Sequence, residues 1–281
     1  MDRILVVGGG GVGGYIAHKL SSAHGAVELL SKSLSELYIK ESGKVYKSGV
    51  KIVKEPKGIY DLVVFATKSY QLEEYAKKLL NHTDKNTKIY PLLNGIEPYR
   101  ILKEIFKNGT VLKGAVYVIS NRKESVIELK SKGAVVVTDE REIEKIFKSS
   151  QIGVKFGENI DRAIWQKYLF IAATAALTSY YGADFGTVAK KYINEFKDIL
   201  KELALVAKKE GVEITQKDLD KAVEILQKSP PSSKTSLQLD LKRGDRSELE
   251  NLLGYAAKRL PQNSALNGIY SQLLSTQSRR V

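Results

Sequence analysis

The sequence predicts an α/β chain in two domains, a Rossmann-type dinucleotide-binding domain over residues 1–160 and an all-α domain over residues 161–281. Three observations carry this. An apolar, β-branched run near the start empties into a cluster of glycines that opens a helix. Short apolar runs of strand length recur as far as about residue 137, and from about Asp161 the apolar spacing becomes helical.

Arg3–Val7 has the composition of a strand buried in a parallel sheet. It runs into Gly8-Gly9-Gly10-Gly11-Val12-Gly13-Gly14, then Tyr15–Leu20 reads as a helix and Ala26–Leu30 as a second strand. The spacing G-x-G-x-x-G is met by Gly8, Gly10 and Gly13, and in a second register by Gly9, Gly11 and Gly14; the first is preferred because Gly8 follows the strand directly. In this pattern the first glycine makes the tight turn, the second lets the backbone approach a pyrophosphate, and the third lets helix and strand pack closely. The helix N-terminus offers free N–H groups and a positive dipole end to the phosphates. A glycine pattern alone is a weak signal; framed by strand, helix and strand it is strong.

The end of the second strand selects the cofactor. A site for NADH normally carries Asp or Glu there for the ribose hydroxyls. Here the chain reads Ser31-Lys32-Ser33, and Glu28 comes too early. A lysine between hydroxyls suits a 2′-phosphate, so NADPH is expected rather than NADH. Strands are expected at Asp61–Thr67, ending at Lys68, and at Lys88–Leu93, ending at Asn94-Gly95; ligands in open α/β sheets sit at such carboxyl ends. Runs at Val111–Ile119, Val126–Leu129 and Ala134–Val137 complete the domain. In the second half, Ala163–Tyr181 reads as a largely buried helix bearing Lys167 near its start. Thr187–Lys209 reads as one long amphipathic helix. Thr215 caps a helix through Gln227 with Asp218 in its first turn, Pro230-Pro231 breaks the chain, and Ser247 caps another helix led by Glu248 and Glu250.

Composition narrows the chemistry. The chain has no cysteine, which removes disulfides, thiolate nucleophiles and cysteine-ligated metals, and His18, His24 and His82 lack metal-ligand spacing, so no metal site is expected. The net charge is +13, but the lysines are interleaved with acids, as in Lys197-Asp198 and Lys201-Glu202; no nucleic-acid partner is expected. The opening residues do not have the form of a signal peptide, and the apolar uncharged run Tyr168–Ala183 is too short and polar for a membrane span. A soluble, cytoplasmic protein is the expectation.

Several blocks taken together resemble the ketopantoate reductases: the glycine turn, Thr67-Lys-Ser-Tyr-Gln71, Leu93-Asn-Gly-Ile96, Trp165-Gln-Lys167, and Thr235-Ser-Leu-Gln-Leu-Asp240 followed by Gly244, Ser247-Glu-Leu-Glu250 and Gly254. The resemblance covers nearly the whole chain. It implies a helical domain like the C-terminal domain of 6-phosphogluconate dehydrogenase, a homodimer, and NADPH-dependent reduction of 2-dehydropantoate to pantoate on the route to coenzyme A. It implies Lys167 as proton donor, Glu248 facing nicotinamide and substrate hydroxyl, and Ser236 holding the substrate carboxylate. Lys68 and Asn94 would contact cofactor and substrate, Lys32 the 2′-phosphate, and Ser120 would line the cofactor site, alongside Gly8, Gly9, Gly10, Gly11, Val12 and Gly13 of the turn and Ser31 at the end of the second strand. A positioned cation stabilises and protonates the oxyanion formed when a ketone is reduced, and desolvation lowers a lysine pKa into the useful range.

One departure stands out. The family carries asparagines four and eight residues after the lysine, where this sequence has Ile171 and Ala175. That leaves open another 2-oxo acid as substrate, an opine-type or 3-hydroxyacid dehydrogenase, or, in a different class, an inactive NADP-binding sensor.

Overall fold

The computed structural model describes residues 3–157 and 159–278 as two compact units. One holds the chain up to Asn94 together with Pro98–Ile160; the other holds Gly95–Glu97 and the chain from Asp161.

The first unit begins with β1 (Arg3–Val7), α1 (Gly11–Ser21), β2 (Ala26–Leu30), β3 (Tyr38–Glu41), β4 (Lys44–Lys47), β5 (Lys51–Val53) and β6 (Leu62–Phe65). It continues through α2 (Leu72–Lys78), β7 (Lys88–Pro91), α3 (Glu97–Ile105), whose Glu97 is counted in the other unit, β8 (Thr110–Val111) and β9 (Ala115–Tyr117). It closes with β10 (Ser120–Lys123), β11 (Val126–Leu129), β12 (Val135–Thr138), α4 (Arg141–Ser149) and β13 (Gly153–Phe156). Six strands form a parallel sheet in the order β5-β2-β1-β6-β7-β8. In this order the strand sequence reverses between β1 and β6, and ligands of such sheets bind outside the strand ends at that switch point. Period-two alternation splits β1 cleanly: Ile4 and Val6 enter the core on one face, Leu5 and Val7 the core on the other.

Two smaller sheets complete the unit, β10-β11-β3-β4 and β13-β12-β9. The Val111–Ile119 run, expected as one strand, is divided between two sheets at Gly114, where a Cβ would fall 2.3 Å from the Tyr90 ring. The β3–β4 hairpin, β5 and β13 carry too little apolar character to be read from pattern; β4 is exposed along its length.

The second unit is helical: α5 (Ile160–Tyr181), which starts one residue before it, then α6 (Phe185–Lys191), α7 (Ile193–Lys209), α8 (Gln216–Lys228), α9 (Ser236–Arg243), a π-helical turn over Glu250–Gly254 that continues into α10 (Tyr255–Ala257), and α11 (Ala265–Ser278). The expected helix Thr187–Lys209 is two helices. Asp184 caps α6 by accepting from the Thr187 amide at 2.8 Å, and the chain bends at Tyr192, whose ring stacks on Tyr181 at 3.7 Å. Apolar periodicity runs through a one-residue break and does not register it. Thr215 and Asp218 form the capping box of α8 where it was expected, and the helix runs one residue past Gln227. No helix among the described residues is long and apolar enough to cross a membrane.

Candidate functional site

β1 delivers the chain to Gly8, whose φ of +110° excludes other residues without strain. A Cβ at Gly8 would also sit 2.7 Å from the Ala66 carbonyl oxygen and 2.9 Å from the Thr67 amide, because β1 and β6 leave the sheet side by side. Gly13 closes the turn from the helix side, where a Cβ would fall 2.0 Å from the Gly8 carbonyl oxygen. Gly10, at the N-cap of α1, has nothing within 4 Å of its Cβ position. Gly8, Gly10 and Gly13 thus supply a turn, an open approach and a tight packing contact. The other three glycines are filled in by the chain itself: Gly9 faces the Ser31 hydroxyl, Gly11 the Ser120 carbonyl and Gly14 the Ile127 side chain.

The first-turn amides of α1 have no intrahelical acceptor and form the positive end of its dipole. Ser120 Oγ lies beside Gly11 at this end and the Thr67 backbone lies beside Gly8, and the hydroxyls of both residues are buried without a hydrogen-bond partner. An unsatisfied buried hydroxyl costs about 1–3 kcal/mol. An oxygen-rich anion at the helix end would relieve both, which is the chemistry of a dinucleotide pyrophosphate. Lys68, half-buried, follows at the end of β6 as the N-cap of the turn Ser69–Gln71, and Asn94 lies just beyond the end of β7. Both stand on the carboxyl edge of the sheet, with the glycine turn.

The β2 end is more occupied than the sequence suggests. Lys32 is exposed and paired with Glu74 of α2 at 3.2 Å, above the Tyr75 ring. Beneath it Lys54, which sequence reading passed over, donates to the carbonyls of Ser31, Lys32 and Leu34 at 3.2, 3.0 and 2.5 Å and so fixes the loop. Ser31 is buried against Gly9. Glu28, the acid that comes early, accepts from Lys51 at 2.6 Å and from the Tyr60 hydroxyl at 2.5 Å and is spent inside the fold. Arg122, also passed over, reaches back from β10: its Nη1 donates to the Gly9 carbonyl at 2.6 Å and to Ser33 Oγ at 3.1 Å. No local pattern reveals Arg122, since its partners lie 113 and 89 positions away.

In the second unit α5 positions Lys167. Trp165 and Tyr168 on either side of it pack edge to face at 5.4 Å, and both rings lie against Tyr255. The Tyr168 hydroxyl donates to the Leu252 carbonyl at 2.9 Å, tying the start of α5 to the π-helical turn. Gln166 donates to Asp218 at 2.7 Å and Arg162 at 2.8 Å, tying α5 to the capping box of α8. Lys167 is 9% exposed, and burial pushes its ammonium pKa down to about 8 from the usual 10.5. Glu248, equally buried, precedes the π-helical turn. Ser247 Oγ accepts from the Leu249 amide at 3.3 Å and donates to Gln277 at 3.0 Å, which pins Glu248 from both sides along the chain.

Ser236 is placed differently. Thr235 Oγ1 caps α9 and also meets Thr178 Oγ1 at 2.8 Å, so Ser236 sits near the far end of α5 and is exposed. Lys167 and Thr178 lie on one helical stripe about 16 Å apart along the axis. Between them the stripe carries Ile171, half-buried, and Thr174, whose hydroxyl is spent on the Phe170 and Ile171 carbonyls. Ala175 is fully enclosed in the helical core. Asn251 in the π-helical turn was also not read from sequence; it is buried, and only a glycine at 95 leaves room for it, a Cβ there falling 2.7 Å from its amide.

Residues 4–142 match the family model described as ketopantoate reductase PanE/ApbA, and residues 159–264 match that of its C-terminal domain. The chain belongs to the ketopantoate reductase family of oxidoreductases. Among relatives of this family, the uncharacterized oxidoreductase YkpB of Bacillus subtilis is 27% identical, over 96% of this chain and 97% of its own length. The PanE/ApbA family ketopantoate reductase of Ralstonia eutropha JMP134 superposes with a TM-score of 0.87 at 21% identity, covering 100% of this chain and 99% of that one. A D-mandelate dehydrogenase solved with NADH and anilino(oxo)acetate has the same fold, with a TM-score of 0.86 at 16% identity and 99% of each chain covered.

Proposed function

We propose that this reductase uses NADPH to convert a 2-oxo acid to the 2-hydroxy acid, with 2-dehydropantoate as the first substrate to test. The observation that carries this reading is Lys167, an ammonium buried on α5 with its pKa held near 8. Buried ionisable groups with perturbed pKa values of this kind concentrate at functional sites.

In this reading residues 1–160 hold the dinucleotide and residues 161–281 handle the substrate. The α1 amides and the Thr67 and Ser120 hydroxyls receive the pyrophosphate, with Gly8 to Gly13 shaping the turn. Ser31 and Lys32 take the adenosine ribose end, and Lys68 and Asn94 the nicotinamide end. A bound nicotinamide dinucleotide supplies the hydride. Lys167 Nζ stabilises the charge that grows on the keto oxygen and donates a proton to it, and Glu248 accepts a hydrogen bond from the resulting hydroxyl. The D-mandelate dehydrogenase with its bound NADH and 2-oxo acid analogue supports the reaction class.

Ile171 bears on which acid is taken. An apolar middle of the α5 stripe favours a substrate that presents carbon there rather than hydroxyl, since a buried apolar wall gives a polar group no partner. Purified protein is expected to oxidise NADPH with at least one member of a series running from 2-dehydropantoate to unhydroxylated branched 2-oxo acids. Lys167→Ala should lose 100-fold or more of that turnover while keeping NADPH affinity within about threefold. No oxidation of either nicotinamide across the series would overturn the reading.

A further inference from the structure

The loop after β2 has a second cation that the βαβ unit does not contain. Arg122 extends from β10 over the glycine turn, with one nitrogen, Nη1, bonded to both the Gly9 carbonyl and Ser33 Oγ. Those acceptors mark two ends of a path: Gly9 is in the turn that faces the pyrophosphate, and Ser33 is in the loop where the adenosine ribose of a dinucleotide ends. The strand is pressed onto this path, because a Cβ on Gly11 would meet the Ser120 carbonyl at 2.6 Å. A guanidinium has five donors in a rigid fork. Among the described residues Nε and Nη2 of Arg122 have no partner, so the fork is held by one tine with the rest unspent.

Lys32, the cation that sequence alone nominates, is less available. Glu74 neutralises it, and that carboxylate also accepts from Lys78 at 2.6 Å. Lys54 is consumed by three backbone carbonyls. Of the three cations around Ser31–Ser33, Arg122 alone meets only neutral oxygens in a way that leaves donors over.

We propose that Arg122 is a specificity-determining residue, binding the 2′-phosphate of an adenine dinucleotide and thereby setting the preference for NADPH over NADH. The proposal rests on the dinucleotide reading given above and adds a residue to it. Nη1 keeps the turn and the β2 loop in register, while the remaining donors meet phosphate oxygens; guanidinium suits such oxygens through paired, charge-assisted hydrogen bonds. The 2′-phosphate site is then assembled from β2 and from a strand about 90 residues downstream of it.

Isothermal titration of the full chain with NADPH and with NADH tests this without turnover. The wild-type protein should bind NADPH more tightly. Arg122→Ala should weaken NADPH by about 10- to 100-fold, the range expected for a charge-assisted bond to phosphate, and NADH by less than about threefold. Arg122→Lys should fall between, keeping charge but losing the fork. A parallel loss for both cofactors would overturn the proposal and leave Arg122 as a residue that only positions the loop. So would unchanged affinity for both, or equal affinities in the wild-type protein. Binding of neither cofactor by the wild-type protein would instead remove the dinucleotide reading itself, and the proposal with it.

Discussion

Lys167 makes opposite demands on activity and on stability. As proton donor it must carry its proton, so the reductive rate should be level below about pH 8 and fall above it as the ammonium titrates. A profile of kcat against pH that falls instead toward acid would remove Lys167 from that role. For stability the sign is the reverse. The folded protein holds the ammonium pKa below the unfolded value of 10.5, so between about pH 8 and 10.5 the unfolded chain binds more protons and stability rises with pH. At neutral pH the buried charge costs about 3 kcal/mol at the conversion of 1.36 kcal/mol per unit. Lys167→Met should therefore abolish turnover yet raise Tm by several degrees at pH 7, and the gain should shrink by pH 10. A lower Tm at both pH values would show the ammonium to be well satisfied where it lies.

At the scale of elements, what places Lys167 is the tie between α5 and α8. Asp218 accepts from Arg162 at 2.8 Å, Gln166 at 2.7 Å, the Thr215 amide at 2.8 Å and Thr215 Oγ1 at 2.9 Å while itself buried. Although burial opposes it, bonding from Thr215, Arg162 and Gln166 holds the Asp218 carboxyl below the usual carboxylate range. Its contribution is therefore present at neutral pH and lost as pH falls through that lowered pKa. Asp218→Ala should cost about 1–3 kcal/mol, measured by urea denaturation, because it removes the acceptor shared by Thr215, Gln166 and Arg162. A change within 0.5 kcal/mol would mean that the network is redundant. The capping box at Thr215 was legible in the sequence because it is local, as were the glycine turn and the strands β1, β2, β6 and β7. The sequence did not reveal Arg122, Lys54 or Asn251, whose positions depend on chain segments that meet only after folding. Lys32 was legible as a cation but its pairing with Glu74 was not, since α2 lies 42 positions away.

At the scale of the molecule, the matched family, the parallel sheet with its switch point and the helical unit around α5 agree on one architecture. The sequence conveyed that architecture through its change of periodicity near Asp161. It did not convey the small sheet β10-β11-β3-β4, in which β3 pairs in parallel with β11, about 90 residues later. The same late strand covers α1, where Ile127 fills the space a side chain on Gly14 would need.

That pairing has a consequence for how the protein is made. A nascent chain that has emerged only to about residue 110 contains the whole glycine signature and every strand of the six-stranded sheet, yet lacks the cover for its first helix. Pairings so distant along the chain are slow to close. Ribosome-bound intermediates arrested so that the chain is free of the exit tunnel only to about residue 112 should be cut readily by protease within α1, and those arrested far enough on to free residue 130 should resist. Equal resistance at both lengths would mean that the opening unit matures without its distant strand.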